Sequence, residues 1–351
     1  MKAFLKWFHL DSPDRTTTVS QRVLDVSESD FRAIMPLRVA KTQILGQTIL
    51  IPLETNLYKK TMSTSANSIA WTHRLMEGFG CNLKKSYSVG LWDGTQRVMI
   101  VDDDYRYATT REPDVCGASP VTVARAEKYP PSWSGSCADY DFTVREKQPQ
   151  ADAIITDRSD VTLCVYSADC VIALIYDRKH HAVGILHSMW RNMVGCGLNN
   201  IGTPEKSIIE ETVYQMTRNF DSNPEDLEVM LFPNASPENY EVGASVAEVF
   251  RTRELGSAVW HEEGKYFLNL RLAARKLFLR CGVLDKNIAE VPFSTDDPEF
   301  SSLRNAQKGR SYQNAMIASE DDVDLSGIQR TPVKLGNENW QNVLIVKTQT
   351  S

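Results

Sequence analysis

A cysteine and a histidine are the side chains of this sequence best suited to chemistry. Cys170 ends the segment 167–170 (Ser-Ala-Asp-Cys), and after sixteen intervening residues His187 begins the segment 187–192 (His-Ser-Met-Trp-Arg-Asn). A cysteine beside an imidazole can react as a thiolate nucleophile. Alternatively, the two side chains can share a soft metal ion such as zinc. Spacing alone leaves both uses open.

Two charged neighbours fit either use. Asp169 can orient the imidazole or accept a proton. Arg191 can hold a phosphate or a carboxylate through two parallel hydrogen bonds. The plain alternative is that Cys170 is a small residue buried at the start of an apolar strand, which is the commonest place for a free cysteine.

The elements that must position these residues are short β-rich runs followed by amphipathic helices. Strands are predicted at 161–166, 171–176 and 182–186, and the last two are separated by a charged turn typical of a hairpin. Further on, helical spacing and one more apolar run predict helices at 205–220, 244–254 and 267–281 and a strand at 227–232. This mixture predicts an α/β (α+β) layered fold with a mixed sheet.

Three regions are predicted along the chain. Residues 1–45 are polar with weak periodicity and are expected to be an extension or an edge subdomain. Residues 46–318 are expected to form the catalytic domain, with an insertion near 103–150 that is rich in turn formers. Residues 319–351 are expected to be a tail, whose apolar run at 343–346 could add an edge strand.

Composition excludes several function classes. The 351 residues carry a net charge of −6, which argues against a broad nucleic-acid footprint. No apolar run is long enough for a membrane helix, and the first residues lack a signal-peptide core, so no membrane partner and a cytoplasmic location are expected. The seven cysteines show no paired spacing and indicate reduced thiols.

Five segments resemble, in order, the motifs of the laccase-domain family, also called multicopper polyphenol oxidoreductases. The family pattern of Thr-Ala-Asp-Cys followed by His-Ala-Gly-Trp-Arg-Gly is matched by two of these segments, with serine first and with methionine and asparagine replacing the glycines. The matching segments are 151–156, 167–170, 187–192, 239–243 and 293–310.

The resemblance implies a layered fold similar to that of the cytotoxic necrotizing factor-like cysteine hydrolases. It also implies a zinc-dependent purine nucleoside phosphorylase, acting on a nucleoside or related small molecule and phosphate. Zinc would be held by Cys170, His187 and a third residue that is histidine in the family. The local match places Asp93 there, which predicts weaker zinc binding. His73 is the fallback for that third ligand.

The resemblance implies substrate contacts as well. Arg304 and Arg310 fall in the family's arginine-rich ending and are expected to bind the anion. Tyr240 and Asp152 lie in two of the matched segments and are expected to bind substrate.

Three functions are therefore carried forward. The first is a phosphorylase-like enzyme with a Cys-His site that can hold zinc. The second is a metal-free hydrolase or transferase in which Cys170 is the nucleophile and His187 the base. The third is a non-catalytic descendant that binds a ligand. Copper chemistry is disfavoured, because a multicopper site needs many histidines and the chain has six.

Overall fold

The structure of the chain is a computed structural model. It describes residues 1–11, 18–44, 47–52, 76, 78–82, 85–88, 96–102, 106–108, 151–167, 169–195, 206–297 and 342–349. Of the predicted insertion near 103–150, only the strand at 106–108 lies within these ranges. Among the helices in these ranges, none is long and apolar enough to cross a membrane.

One seven-stranded sheet joins the two ends of the chain to its middle. The strand order is β1-β2-β3-β17-β9-β5, with β4 paired to β3. All neighbours are antiparallel except β5 and β9. The strands are β1 Ala3–Asp11, β2 Thr18–Ser27, β3 Phe31–Ile44, β4 Gln47–Pro52, β5 Ser86–Ser88, β9 Thr162–Ser167 and β17 Asn342–Thr348.

A second seven-stranded sheet carries the Cys-His hairpin. Its order is β16-β12-β10-β11-β8-β6-β7, mixing antiparallel pairs with two parallel ones. The strands are β6 Val98–Ile100, β7 Arg106–Ala108, β8 Ala153–Thr156, β10 Val171–Asp177, β11 Ala182–Ser188, β12 Leu227–Leu231 and β16 Ile288–Glu290.

Four helices and a small third sheet complete the described elements. The predicted strand and helix positions in 161–281 are confirmed to within a few residues. Ser207 and Glu210 close a capping box at the start of the longest helix. The helices are α1 Trp190–Met193, α2 Ile208–Phe220, α3 Ala244–Thr252 and α4 Leu270–Arg280, and the third sheet contains β13 Glu241–Val242, β14 Val259–Glu262 and β15 Lys265–Leu268.

Strand alternation assigns the two faces of the second sheet to different layers. On β10, Ile172 and Leu174 face the first sheet, whereas Ala173 and Ile175 face the helices. Both faces are therefore covered, and β10 is buried along its whole length. The result is a layered, mixed-sheet fold of the predicted class.

The two ends of the chain are strands of the first sheet. Residues 1–45 supply β1 to β3, with β1 at the sheet edge, and Leu24 and Phe31 pack in the core beneath it, so of the two alternatives the edge subdomain fits better than the extension. The C-terminal strand β17 is not the predicted edge strand, since it pairs with β3 on one side and β9 on the other. Leu344 and Val346 pack in the core on one face of β17 and Ile345 packs on the other, so both faces are covered.

Candidate functional site

Three adjacent strands bring Cys170, His187 and Asp152 to one end of the second sheet. Cys170 immediately precedes β10, where the next residues pair with the end of β11 that carries His187. Asp152 immediately precedes β8, which pairs with β11 on its other side. The register therefore places the cysteine and the histidine at the open end of one hairpin.

Asp152 makes two hydrogen-bonded contacts with His187, one through the backbone and one through the side chain. The His187 backbone N–H donates to the Asp152 carbonyl at 2.7 Å, and the Nδ1 of the ring lies 2.9 Å from the Asp152 carboxylate Oδ1. Asp152 is fully buried and His187 is only 6% exposed. A carboxylate on Nδ1 fixes the ring orientation and leaves Nε2 for a second partner.

That second partner is Cys170, which the structure leaves partly exposed. Burial lowers the pKa of His187, but hydrogen bonds donated to Asp152 and to the Cys170 sulfur, together with their negative charge, raise it to about 10. The buried carboxylate of Asp152 thus favours the protonated form of the ring. The three side chains form one hydrogen-bonded chain.

This chain predicts a loss of stability at alkaline pH. Folding raises the His187 pKa from 6.5 to about 10, so its stabilisation is complete below about 6.5 and disappears as the pH rises through about 10. We expect the unfolding free energy of chelator-treated protein to fall across that window, measured by urea denaturation at a series of pH values. A His187→Gln variant should lack this decline, and an equal decline in both proteins would contradict the assignment.

The turn before Cys170 is held by one hydrogen bond within it and by another from a distant segment. The Ser167 hydroxyl donates to the Cys170 carbonyl at 2.8 Å. Asp169 accepts a hydrogen bond from the Thr295 hydroxyl at 3.0 Å. The carboxylate on the His187 ring is thus that of Asp152, which corrects one of the two roles predicted for Asp169. Its role as a proton acceptor stays a prediction.

The segment after His187 is braced by its two polar substitutions. The Asn192 amide donates to the His187 carbonyl at 3.2 Å, and the Ser188 hydroxyl lies 3.5 Å from the Asn192 Oδ1. Asn192 is fully buried. Its side chain therefore holds the backbone at a position where the family pattern has glycine, which has no side chain and allows more backbone conformations. The guanidinium of Arg191 lies 4.7 Å from the ring centre of buried Trp190, which supports it by a cation–π contact.

The structure describes two of the predicted substrate residues. Asp152 is fully buried and bonded to the His187 ring, which gives it a role in orienting that ring; its predicted contact with substrate stays a prediction. Tyr240 is 3% exposed and packs in the apolar core next to the helices, and its predicted contact with substrate also stays a prediction. The predicted residues Asp93, His73, Arg304 and Arg310 lie outside the described residues, and their roles stay predictions.

Sequence reasoning missed Thr295 as part of the site. It lies in the matched segment 293–310 and is 126 residues from its partner Asp169. Neither residue belongs to a periodic pattern that would connect them. The position of Thr295 in a segment that matches the family was the available signal, and its partner becomes visible only in the folded chain.

Two of the side chains at this site are of the kinds that bind zinc. A thiolate sulfur and an imidazole nitrogen, oriented by a carboxylate behind the ring, are usual zinc ligands with a usual supporting bond. Within the described ranges no three His, Cys, Asp or Glu side chains converge to hold a metal ion. Cys170 and His187 would therefore supply two ligands, and the predicted third, Asp93, lies outside those ranges.

Comparison with known sequences points to one family. A family described as multi-copper polyphenol oxidoreductase laccase matches residues 123–318. The chain is 30% identical over 174 residues to a purine nucleoside phosphorylase of Bacteroides thetaiotaomicron, and 34% identical over 164 residues to one of Deinococcus radiodurans. These alignments cover 47% and 46% of this chain and 60% of each relative. The match thus spans less than two thirds of the relatives' length.

Solved structures share the fold over nearly the whole chain. The YfiH protein of Bacillus licheniformis superposes with a TM-score of 0.61 at 17% identity, covering 93% of this chain and 96% of its own. YlmD of Geobacillus stearothermophilus gives 0.60 at 16% identity, with the same coverage. The fold class predicted from the sequence is confirmed.

Proposed function

Because this chain belongs to the multi-copper polyphenol oxidoreductase laccase family, we propose that it is a phosphorylase-like enzyme acting on a purine nucleoside or a related small molecule. The observation that carries the proposal is the contact of Cys170 with His187, backed by Asp152. Relatives named purine nucleoside phosphorylase support the substrate class. Copper chemistry is not proposed, since the whole chain has six histidines.

In phosphorolysis a phosphate oxygen bonds to C1′ of the sugar while the bond from C1′ to the purine nitrogen breaks. The electron pair leaves on the purine, which takes up a proton. Arg191, stacked on Trp190, would hold the phosphate, joined by Arg304 and Arg310. In the metal-free site the imidazolium of His187 can supply the proton.

Zinc, when bound by Cys170 and His187, would supply a Lewis acid that stabilises developing negative charge. The role of Asp152 is the same with or without metal. It keeps the proton on Nδ1 of His187 so that Nε2 faces Cys170. With aspartate at the third ligand position, we propose that zinc is held weakly and that turnover is slow.

The direct test is release of free purine from adenosine and inosine, with and without phosphate, alongside a metal analysis of the purified protein. Phosphate-dependent release that requires Cys170 is the expected result. Deamination without base release, or equal release with and without phosphate, would show a different reaction. Absence of any reaction in the presence of added zinc would leave the ligand-binding descendant as the better description.

One observation favours a second candidate. The chain Cys170–His187–Asp152 has the order of nucleophile, base and orienting carboxylate found in cysteine hydrolases. In this case the Cys170 thiolate sulfur would bond to the substrate carbon while the bond from that carbon to the leaving group breaks, and His187 would give its proton to the leaving group. Water, deprotonated by His187, would then displace the sulfur and regenerate the thiolate. Activity that survives a strong chelator but is lost on thiol alkylation would identify this candidate.

Arg191→Ala tests the anion site. We expect the KM for phosphate to rise about tenfold to a hundredfold with little change in melting temperature, because a charge-assisted contact is lost from a partly exposed side chain. Arg251→Ala is the matched control. The Arg251 guanidinium also lies over an aromatic ring, 5.2 Å from the ring centre of Tyr266, and that tyrosine belongs to strand β15 of the third sheet. An unchanged phosphate KM would remove Arg191 from the anion site.

A further inference from the structure

The turn carrying Asp169 and Cys170 is tied to a distant segment of the chain. The Thr295 hydroxyl donates to Asp169 Oδ1 at 3.0 Å, and both side chains are buried, at 1% and 6% exposure. A buried hydroxyl bonded to a carboxylate is a strong, directional contact. It fixes the carboxylate of the residue that immediately precedes the cysteine.

Two backbone hydrogen bonds also join Asp169 and Thr295 through the loop after β12. The Ala235 N–H donates to the Asp169 carbonyl at 2.9 Å, and the Thr295 N–H donates to the Asn234 carbonyl at 3.0 Å. The loop at 234–235 therefore contacts both Asp169 and Thr295. Three segments that are far apart in sequence meet beside Cys170.

Arg271 on helix α4 anchors the far side of this connection. Its guanidinium donates to Asn234 Oδ1 at 3.0 Å, to the Phe293 carbonyl at 2.7 Å and to the Val291 carbonyl at 3.2 Å. Two of these bonds hold the segment that leads to Thr295, and the third holds the loop at 234–235. The threonine hydroxyl is thus held rigidly where Asp169 meets it.

We propose that Thr295 is a positioning residue that keeps the Cys170 thiol against His187 by holding the carboxylate of Asp169. Within the described part of the turn, the Ser167 hydroxyl donates to the Cys170 carbonyl. The bond from Thr295 adds a link to a distant segment of the chain. The importance of Cys170 rests on the proposed function; the coupling of Thr295 to Cys170 does not.

The test replaces the threonine in two ways. Thr295→Val keeps the shape and removes the hydroxyl, whereas Thr295→Ser keeps the hydroxyl. Thr212→Val is the matched control, because Thr212 is equally buried and donates to the Ile208 carbonyl within helix α2. The measurement is the rate of iodoacetamide alkylation at each cysteine, followed by peptide mass spectrometry at one fixed pH in the presence of a chelator.

We expect alkylation of Cys170 to slow about threefold to tenfold in Thr295→Val, as for the loss of one buried hydrogen bond, and to recover in Thr295→Ser. Buried Cys81 and Cys164 are internal references. A general loosening of the fold would speed their labelling, which a positioning effect leaves unchanged. Labelling of Cys170 that is unchanged or faster in Thr295→Val would overturn the proposal.

The same variants separate this proposal from the proposed function. Base release by the parent protein tests the function, whereas thiol labelling tests the positioning and needs no substrate. Slower labelling in Thr295→Val with no phosphorolysis in the parent would support the positioning and reject the function. Phosphorolysis in the parent with equal labelling in all variants would do the reverse.

Discussion

Replacing Cys170 with alanine is expected to abolish base release, with a loss of about 10³-fold or more in kcat/KM. The sulfur is needed in either candidate chemistry, as a metal ligand or as a nucleophile. Cys170 is partly exposed and contributes one contact to the imidazole, so the melting temperature should change little. The measurement is steady-state base release, together with a thermal melt for each protein.

Cys281→Ala is the matched control for this variant. Cys281 is also partly exposed and free, and it lies at the end of helix α4. Its loss should leave base release unchanged. Equal base release by the Cys170→Ala variant and the parent would remove the Cys-His pair from catalysis and overturn both candidate chemistries that depend on the sulfur.

The sequence predicted the hairpin and its two reactive residues because those signals are local. Strands β10 and β11 are continuous apolar runs separated by a charged turn, and such a pair closes into a hairpin whatever the rest of the chain does. Cys170 and His187 stand at its open end. Their proximity therefore follows from the register of one hairpin.

The N-terminal strands escaped prediction because they lack an alternating pattern. Val23 and Ile34 pack on one side of the first sheet, and Leu24 and Phe31 pack on the other. A strand that is buried on both faces shows no alternation of polar and apolar residues. The polar appearance of residues 1–45 as a whole concealed short buried stretches within β2 and β3.

The supporting residues of the site depend on contacts that no local pattern encodes. Asp152 reaches His187 only because β8 pairs with β11 across 35 residues of chain. Thr295 reaches Asp169 only through the loop after β12 and the anchor at Arg271. Residue types and spacing identify the reactive atoms, whereas the pairing of strands and loops decides which polar side chains orient them.

Asp152→Asn is expected to lower kcat/KM at least about tenfold, by reversing the hydrogen bond to the ring. The asparagine amide would donate to Nδ1 of His187, which moves the ring proton to Nε2. That nitrogen could then neither bind a metal ion nor accept a proton from Cys170. Both candidate functions predict a loss, but of different size.

The size of the loss distinguishes the two functions. A carboxylate that supports a metal ligand is worth about 10- to 100-fold in metal affinity or activity. A carboxylate that sets the tautomer of a catalytic base is worth about 10⁴-fold. We expect the smaller loss, with a parallel fall in zinc affinity, because the proposed function places His187 as a zinc ligand. A loss near 10⁴-fold that added zinc does not relieve would favour the metal-free hydrolase.

Asp177→Asn provides the control, because the same hairpin carries a second His-Asp pair at its closed end. There the Nδ1 of His180 lies 2.8 Å from the Asp177 carboxylate, which is fully buried like that of Asp152. The two substitutions thus make the same chemical change in a buried carboxylate bonded to a histidine ring, at opposite ends of the hairpin. Asp177 also accepts hydrogen bonds from the backbone N–H groups of Lys179 and His180, so its loss tests stability at least as severely. Both variants should lose some stability on urea denaturation, but only Asp152→Asn should lose activity at a matched folded fraction. Equal losses of activity would mean that the hairpin as a whole, and not the orientation of His187, limits turnover.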